Sequence, residues 1–394
     1  MAILALVLSM TGPRRGAFTF VLFSAMGVAT FTAASVGIVA SFIIDDLGID
    51  RAQLGLVIAV NAIVAAAISP VVGRITDREG GKRAILAVFT IAALAFALMG
   101  VSRGLLMLLG AGLVGAWGQA GTNPATNKLI AEDLPLGERG VVTGIKQSGV
   151  QATIFIGGLV LPSLAIALGW RGAYLVVAVV PLVLAVVAAF VVPASSTSRA
   201  DRAVRSHPPL PDAVRWLAGY GFLLGFAGSV SFLVPLFTEE AIGFDPRLAG
   251  AVAAAIGLFA FMGRIAWARF SEIRGEFVMP LAAIAALSVL AGLVMLAAPT
   301  LGAWLVWVGA VLIGVSSSSW NSVGMLAVIN EAGAAATGRA SGIVLFGFLA
   351  GLGLGPPIYG AIVDRAGYEP MWLLSIGVSG VALGVVLVWR RVGN

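Results

Sequence analysis

Apolar runs of about 20 residues, each closed by a turn signal, recur from one end of the chain to the other. As an α-helix, a run of that length spans the hydrocarbon of a bilayer. Lipid offers no partner for an exposed peptide group, so a chain that crosses it must be helical or a closed barrel. The runs are continuous rather than alternating, which selects helices. Twelve spans are expected: 17–43, 53–73, 84–102, 104–130, 140–168, 172–192, 214–238, 248–268, 277–298, 302–329, 339–362 and 371–389. Turn signals such as Asp45-Asp46-Leu47-Gly48, Leu134-Pro135-Leu136-Gly137 and Gly243-Phe244-Asp245-Pro246 separate them.

Charge agrees with this reading. Only 11% of the residues are charged, where a soluble domain carries about 25%. The net charge of +6 fits the basic bias of cytoplasmic loops and does not call for nucleic acid. Sixteen of the 24 Lys and Arg fall on one side of the expected spans, five on the other and three within spans. That asymmetry puts both termini in the cytoplasm of a plasma (inner) membrane protein. With no Cys, and with its single His, His207, in a polar stretch, the chain has no thiolate metal site and no His-based triad in its spans. No cofactor, metal or enzymatic activity is expected.

The densest charged stretch is Gly73-Arg74-Ile75-Thr76-Asp77-Arg78-Glu79-Gly80-Gly81-Lys82-Arg83, read as a short cytoplasmic loop between the second and third spans. A degenerate copy, Ala268-Arg269-Phe270-Ser271-Glu272-Ile273-Arg274-Gly275, follows at an offset of 195. Gly169-Trp170 and Gly367-Tyr368 repeat at 198. The expected organisation is therefore a cytoplasmic N-terminus (1–16), a six-helix bundle (17–192), a polar linker (193–212), a second six-helix bundle (213–389) and a short tail (390–394).

The pattern G-x-x-x-D-R-x-G in Gly73–Arg83 resembles the signature loop of the major facilitator superfamily of secondary transporters. The resemblance implies an all-α polytopic fold of two pseudo-symmetric six-helix bundles, with a binding site near the midplane. It implies gating roles for Gly73, Asp77 and Arg78, with Arg269 and Glu272 as their weakened echo and Glu132 with Arg139 as a further cytoplasmic pair.

Ionisable groups inside spans are functional candidates because burying charge in hydrocarbon is costly. Here all three are cations: Lys128, Lys146 and Arg264. No Asp or Glu lies in the middle of a span, so an anionic substrate is the natural counter-charge. Arg264 resembles the eighth-helix Arg of monocarboxylate and oxalate carriers, which binds the substrate carboxylate. The alternatives are that it snorkels to headgroups or pairs with Glu272. Lys146, Gln147 and Gln151 share a polar arc of the fifth span that resembles cyanate and nitroimidazole-type carriers; a snorkelling lysine is the alternative. Asn61, Trp117, Gln119, Tyr220, Trp320, Asn321 and Tyr359 complete the candidates for substrate contact.

These residues predict a transporter of a small organic anion, a carboxylate, working as a monomer by proton symport or anion exchange. The rivals are a proton-coupled exporter of apolar compounds and a non-transporting membrane sensor.

Overall fold

The computed structural model describes residues 2–193 and 211–392. Most of the linker expected at 193–212, His207 included, and the last two residues of the tail expected at 390–394 lie outside them. Among the described residues every regular element is helical. In chain order these are α1 (Ala2–Ile38), α2 (Ala40–Leu47), α3 (Arg51–Glu79), α4 (Gly81–Gly100), α5 (Leu105–Asp133), α6 (Leu136–Val191) and α7 (Asp212–Gly228). A 3-10 turn (Ser229–Phe232) follows, then α8 (Val234–Glu240), α9 (Pro246–Arg274), α10 (Val278–Leu301), α11 (Leu305–Val315), α12 (Trp320–Ala366) and α13 (Tyr368–Val392).

Eleven stretches among the described residues are long and apolar enough to cross a membrane. One of them, Val141–Val191, has 51 residues. It covers the two spans expected at 140–168 and 172–192, and Gly169, with φ +70° and ψ 158°, bends it between them. Only glycine occupies that backbone region without strain.

The charged stretch Gly73–Arg83 is not a loop. Helix α3 runs on to Glu79, and Gly80 alone, at φ +89°, separates it from α4. Positive φ suits Gly80. Gly81 then lies so close to Leu129 that a Cβ would meet that side chain at 2.6 Å. Three expected helices are interrupted: the span at 17–43 breaks at Val39, between α1 and α2, and two others break further along. The span at 214–238 breaks at the 3-10 turn, and the span at 302–329 breaks between Val315 and Trp320. Conversely, the backbone from Trp320 to Ala366 stays helical through the turn expected near 330–338.

The chain divides into two compact units. The first comprises Met1–Ser35, Val64–Ile154 and Leu164–Ala200. Its core holds Phe89, Phe96 and Tyr174, with Phe96 stacked 6.3 Å from Tyr174. Close packing comes from small residues, as expected where lipid removes the hydrophobic drive between helices. At Gly149 of α6 an added Cβ would stand 1.9 Å from the Phe23 carbonyl of α1.

The second unit comprises Val36–Ile63, Phe155–Ser163 and Asp201–Asn394. Its core gathers Tyr220 and Leu224 of α7, Leu281 and Ile284 of α10, Trp320 and Val344 of α12 and Val386 of α13. Gly347 and Gly351, one turn apart on α12, let α7 approach until a Cβ would meet the Ala218 and Phe222 carbonyls at 2.6 and 2.0 Å. At one end of this unit Arg51 forms a node. Its guanidinium bonds Glu240 at 2.7 Å and Asp364 at 3.0 Å. Asp364 also accepts from the backbone N–H of Arg51 and Ala52, capping α3.

Candidate functional site

In the first unit, α5 and α6 face each other across a polar patch. The Lys146 side chain is fully buried, at 0% exposure. Its Nζ donates to Thr126 Oγ1 at 2.8 Å and to Asn127 Oδ1. Gln147 Nε2 donates to Asn123 Oδ1 at 3.3 Å, and Gln151, one turn on, is buried. Among the described residues no carboxylate pairs with Lys146. Lys128 is different: it lies one helical turn from Glu132 and pairs with it at 3.2 Å.

In the second unit the break in α11–α12 is the organising feature. Between Val315 and Trp320 the backbone leaves the helix, with Ser316 at φ −106° and ψ −102°. Broken helices release backbone groups that must find other partners. Helix α9 supplies them. Arg264 Nε donates to the Ser318 carbonyl at 3.2 Å, and Trp267 Nε1 to the Val315 carbonyl at 2.7 Å. Ser319 Oγ bonds the Gly314 and Ala260 carbonyls. The opposing break in α7 lies alongside: a Cβ on Gly228 would stand 3.0 Å from that of Ser317. Discontinuous helices of this kind mark binding sites in transporters.

Trp320 and Tyr220 meet edge to face at 5.9 Å, and Tyr359 packs 5.2 Å from Phe226. Tyr220 is anchored, its OH donating to the Leu281 carbonyl at 2.7 Å. Buried polar atoms of Ser316, Trp320 and Asn321 have no hydrogen-bond partner among the described residues. Arg264 pairs with no acid among the described residues, Glu272 included. Its expected alternative partner is replaced by a backbone carbonyl, because the unwound turn faces α9 directly.

The remaining expected site residues are scattered. Asn61 is buried on α3, in the stretch that belongs to the second unit. Gln119 is half-buried on α5. Trp117, 43% exposed, lines an apolar groove with Val72, Val88, Ile91 and Gly121, on another face of α5 from the Lys146 patch. Asp77 and Arg78 lie on the last turns of α3 and form no ion pair among the described residues. Gly73 lies on α3 near Pro124. Arg269 and Glu272 are exposed on α9.

Glu132 and Arg139 do not pair with each other. Glu132 takes Lys128, and Arg139 donates to the Leu134 and Ala131 carbonyls, which the end of α5 leaves free.

Several residues of these sites were not singled out from the sequence. Asn123, Thr126 and Asn127 recur at helical spacing, and that i, i+3, i+4 polar run could have revealed them. Trp267 carried no signal, because its role comes from a break in another helix. Near the Arg51 node, Glu239 stands among Glu240, Asp45 and Asp245. Burial, helped by those carboxylates and opposed by the Ser41 hydroxyl, pushes its carboxyl up to about 7.

A family model described as Major Facilitator Superfamily matches residues 21–346. A probable sulfoacetate transporter of Cupriavidus necator is 28% identical over 159 residues, 39% of this chain and 36% of that protein. The hexuronate transporter of Bacillus subtilis is 25% identical over 153 residues, again 39% and 36%. The chain thus matches about a third of the length of each of these two relatives. An uncharacterized transporter of Mycobacterium tuberculosis is 26% identical over 301 residues, 75% of this chain and 67% of its own. Among solved structures, a bacterial homologue of the human lysosomal transporter Spinster superposes with a TM-score of 0.80 at 16% identity, covering 96% of this chain and 97% of its own. A nucleoside transporter does so at 0.77 and 14%, covering 94% and 99%. At such identities these structures speak to the fold.

Proposed function

Since the chain belongs to the Major Facilitator Superfamily and is a secondary transporter rather than an enzyme, we propose that its cargo is a small organic anion bearing a carboxylate, moved across the plasma membrane by alternating access. One observation carries this reading. Arg264 spends its Nε on the Ser318 carbonyl. That bond fixes the plane of the guanidinium and leaves its terminal nitrogens for a ligand. A planar fork held in this way matches a carboxylate through two parallel hydrogen bonds. The half-buried cation has no acid of its own among the described residues, so a carboxylate completes it. Asn321, next to the same unwound turn, supplies an amide to orient the rest of the molecule, and Trp320, buried in the core behind it, holds that turn in place. The names of two relatives support the chemistry, since sulfoacetate and hexuronates are both organic anions.

Uptake of labelled sulfoacetate and glucuronate into proteoliposomes tests the reading. Arg264→Ala removes charge-assisted bonds worth roughly 1.5–3 kcal/mol, so apparent affinity falls about 10- to 100-fold. Arg264→Lys keeps the charge without the fork and lies between. Transport of either acid at wild-type affinity by Arg264→Ala refutes the assignment.

A further inference from the structure

Helices α3, α4 and α5 leave between them a groove of about 290 Å³, wholly within the first unit. It lies apart from Arg264 and on another face of α5 from Lys146. Its walls are apolar: Val72 and Ile75 of α3, Ala87 and Ile91 of α4, and Trp117 of α5. Gly121 is the floor, so near its neighbours that a Cβ would meet Val88 at 3.2 Å and Val72 at 3.4 Å. Two large wall side chains stay uncovered, Ile75 at 46% and Trp117 at 43% exposure. One end of the groove is charged. Glu79 and Arg83 line it and pair at 3.0 Å across the Gly80 turn, with Arg83 77% exposed. Arg78 follows Ile75 by three residues, so it flanks the same face of α3, and it forms no ion pair among the described residues. Over Gly73–Arg83 the four basic residues outnumber Asp77 and Glu79, so this end is positive.

We propose that this groove holds one acyl chain of an anionic phospholipid, whose phosphate is bound by Arg83 and Arg78 at the end that the basic excess places at the cytoplasmic face. Length and charge together select this occupant. From Arg83 to Ile91 the groove follows eight residues of α4, about 12 Å at 1.5 Å per residue. One leaflet supplies half of a hydrocarbon core about 30 Å thick. A chain lying along the groove therefore stays within one leaflet while its headgroup reaches the arginines. A small carboxylate has no apolar length to cover Ile75 and Trp117. A neutral apolar compound has nothing to offer the charged end. A second copy of the chain would bring the same positive charge to the mouth and be repelled. The arginines act here as phosphate ligands, a role that needs no movement of the helices.

The experiment places the full chain in phosphatidylcholine vesicles with a trace of phosphatidylglycerol that carries a diazirine on one acyl chain. Light attaches the lipid, and peptide mass spectrometry maps the attachment. The labels are expected on the groove walls, around Ile75, Ala87, Ile91 and Trp117. Unlabelled phosphatidylglycerol should compete about 25-fold better than phosphatidylcholine, about fivefold for each of two arginines. Arg78→Gln and Arg83→Gln should each lose about fivefold of that preference. Ala87 is exposed on α4, so the ring in Ala87→Trp fills the groove without entering the core. It should abolish the groove labels and leave labels elsewhere unchanged.

Arg78 and Arg83 are both exposed, so their variants test the headgroup contact independently of the groove-filling one. Labels spread evenly over the exposed apolar faces, equal competition by the two lipids, or a preference unchanged in both arginine variants overturns the inference. Two further results would give the groove to another occupant and overturn it as well. One is displacement of the label by a neutral apolar dye as effectively as by phosphatidylglycerol. The other is a disulfide-linked dimer of Ala87→Cys, in a chain that has no other cysteine, which would seat a second copy there. None of these outcomes bears on Arg264, so the anion reading stands or falls separately.

Discussion

Asp364 ties the start of α3 to the end of α12, and its removal should loosen that contact by a calculable amount. Its carboxylate accepts from the Arg51 guanidinium at 3.0 Å, the Ala52 N–H at 3.0 Å and the Arg51 N–H at 3.3 Å. Asp364→Ala removes all three. Losing a helix cap costs about 1 kcal/mol. The ion pair is a fifth to a quarter exposed, with side chains at 27% and 20%, and contributes about 0.5–1 kcal/mol after screening. Arg51 is not orphaned, because Glu240 still binds it through Nε and Nη2, so no buried-charge penalty is added. The total of about 1.5–2 kcal/mol shifts the balance between joined and parted α3 and α12 by roughly 10- to 30-fold. The chain has no Cys, so a single Ala62→Cys gives a clean reporter. Ala62 is 1% exposed and faces Gly353 of α12, whose Cβ would lie 3.4 Å away. Labelling by a membrane-impermeant maleimide should accelerate by the same 10- to 30-fold in the Asp364→Ala background. Asp364→Asn, which keeps an oxygen for the cap, should give a smaller rise. An unchanged labelling rate in Asp364→Ala, with reagent reaching a control cysteine, refutes the idea that this node holds the two helices together.

Three further outcomes follow from the geometry. Glu239, raised to about 7, binds more protons folded than unfolded between its ordinary carboxylate value and 7. Its stabilising contribution is therefore full at low pH and is lost as pH rises through about 7. Melting temperature measured from pH 5 to 8 should fall less steeply in Glu239→Gln than in wild type; parallel curves would show that this carboxyl does not titrate there. Gly169→Ala places a side chain at φ +70°, ψ 158°, at a cost of about 1–3 kcal/mol, and should lower the melting temperature although no atom stands within 4 Å of the new methyl. Trp267→Phe leaves the Val315 carbonyl without its 2.7 Å donor. It should cost about 1–3 kcal/mol and weaken anion uptake through the displaced turn, an effect that normal transport kinetics would rule out.

How much was legible in the sequence depends on where the cause of each feature lies. The spans were legible because lipid itself enforces them: the stretch of each helix inside the bilayer must be about 20 predominantly apolar residues long. The charge of Gly73–Arg83 was legible, but its helical form was not. Arg, Glu and Lys are good helix formers, so a charged run alone does not end a helix, and one glycine suffices for the turn. The breaks at Ser229–Phe232 and Ser316–Ser319 were hidden for the opposite reason. Small polar residues are tolerated within spans, so nothing local separates a broken helix from a whole one. Lys146 and Arg264 stood out as charges in apolar runs. Their partners did not, because Asn127 and the Ser318 carbonyl lie 19 and 54 residues away and meet them only by folding.

The single-residue connection at Gly80 has a mechanical meaning. A loop of several residues absorbs motion by changing its torsions. One glycine has two, and both are already committed to reversing the chain. Helices α3 and α4 are therefore joined through one permissive residue, and the angle between them is set by two torsions alone. Asp77 and Arg78 sit in the last turn of α3, beside that connection, so any change in those two torsions alters where their charges stand relative to α4.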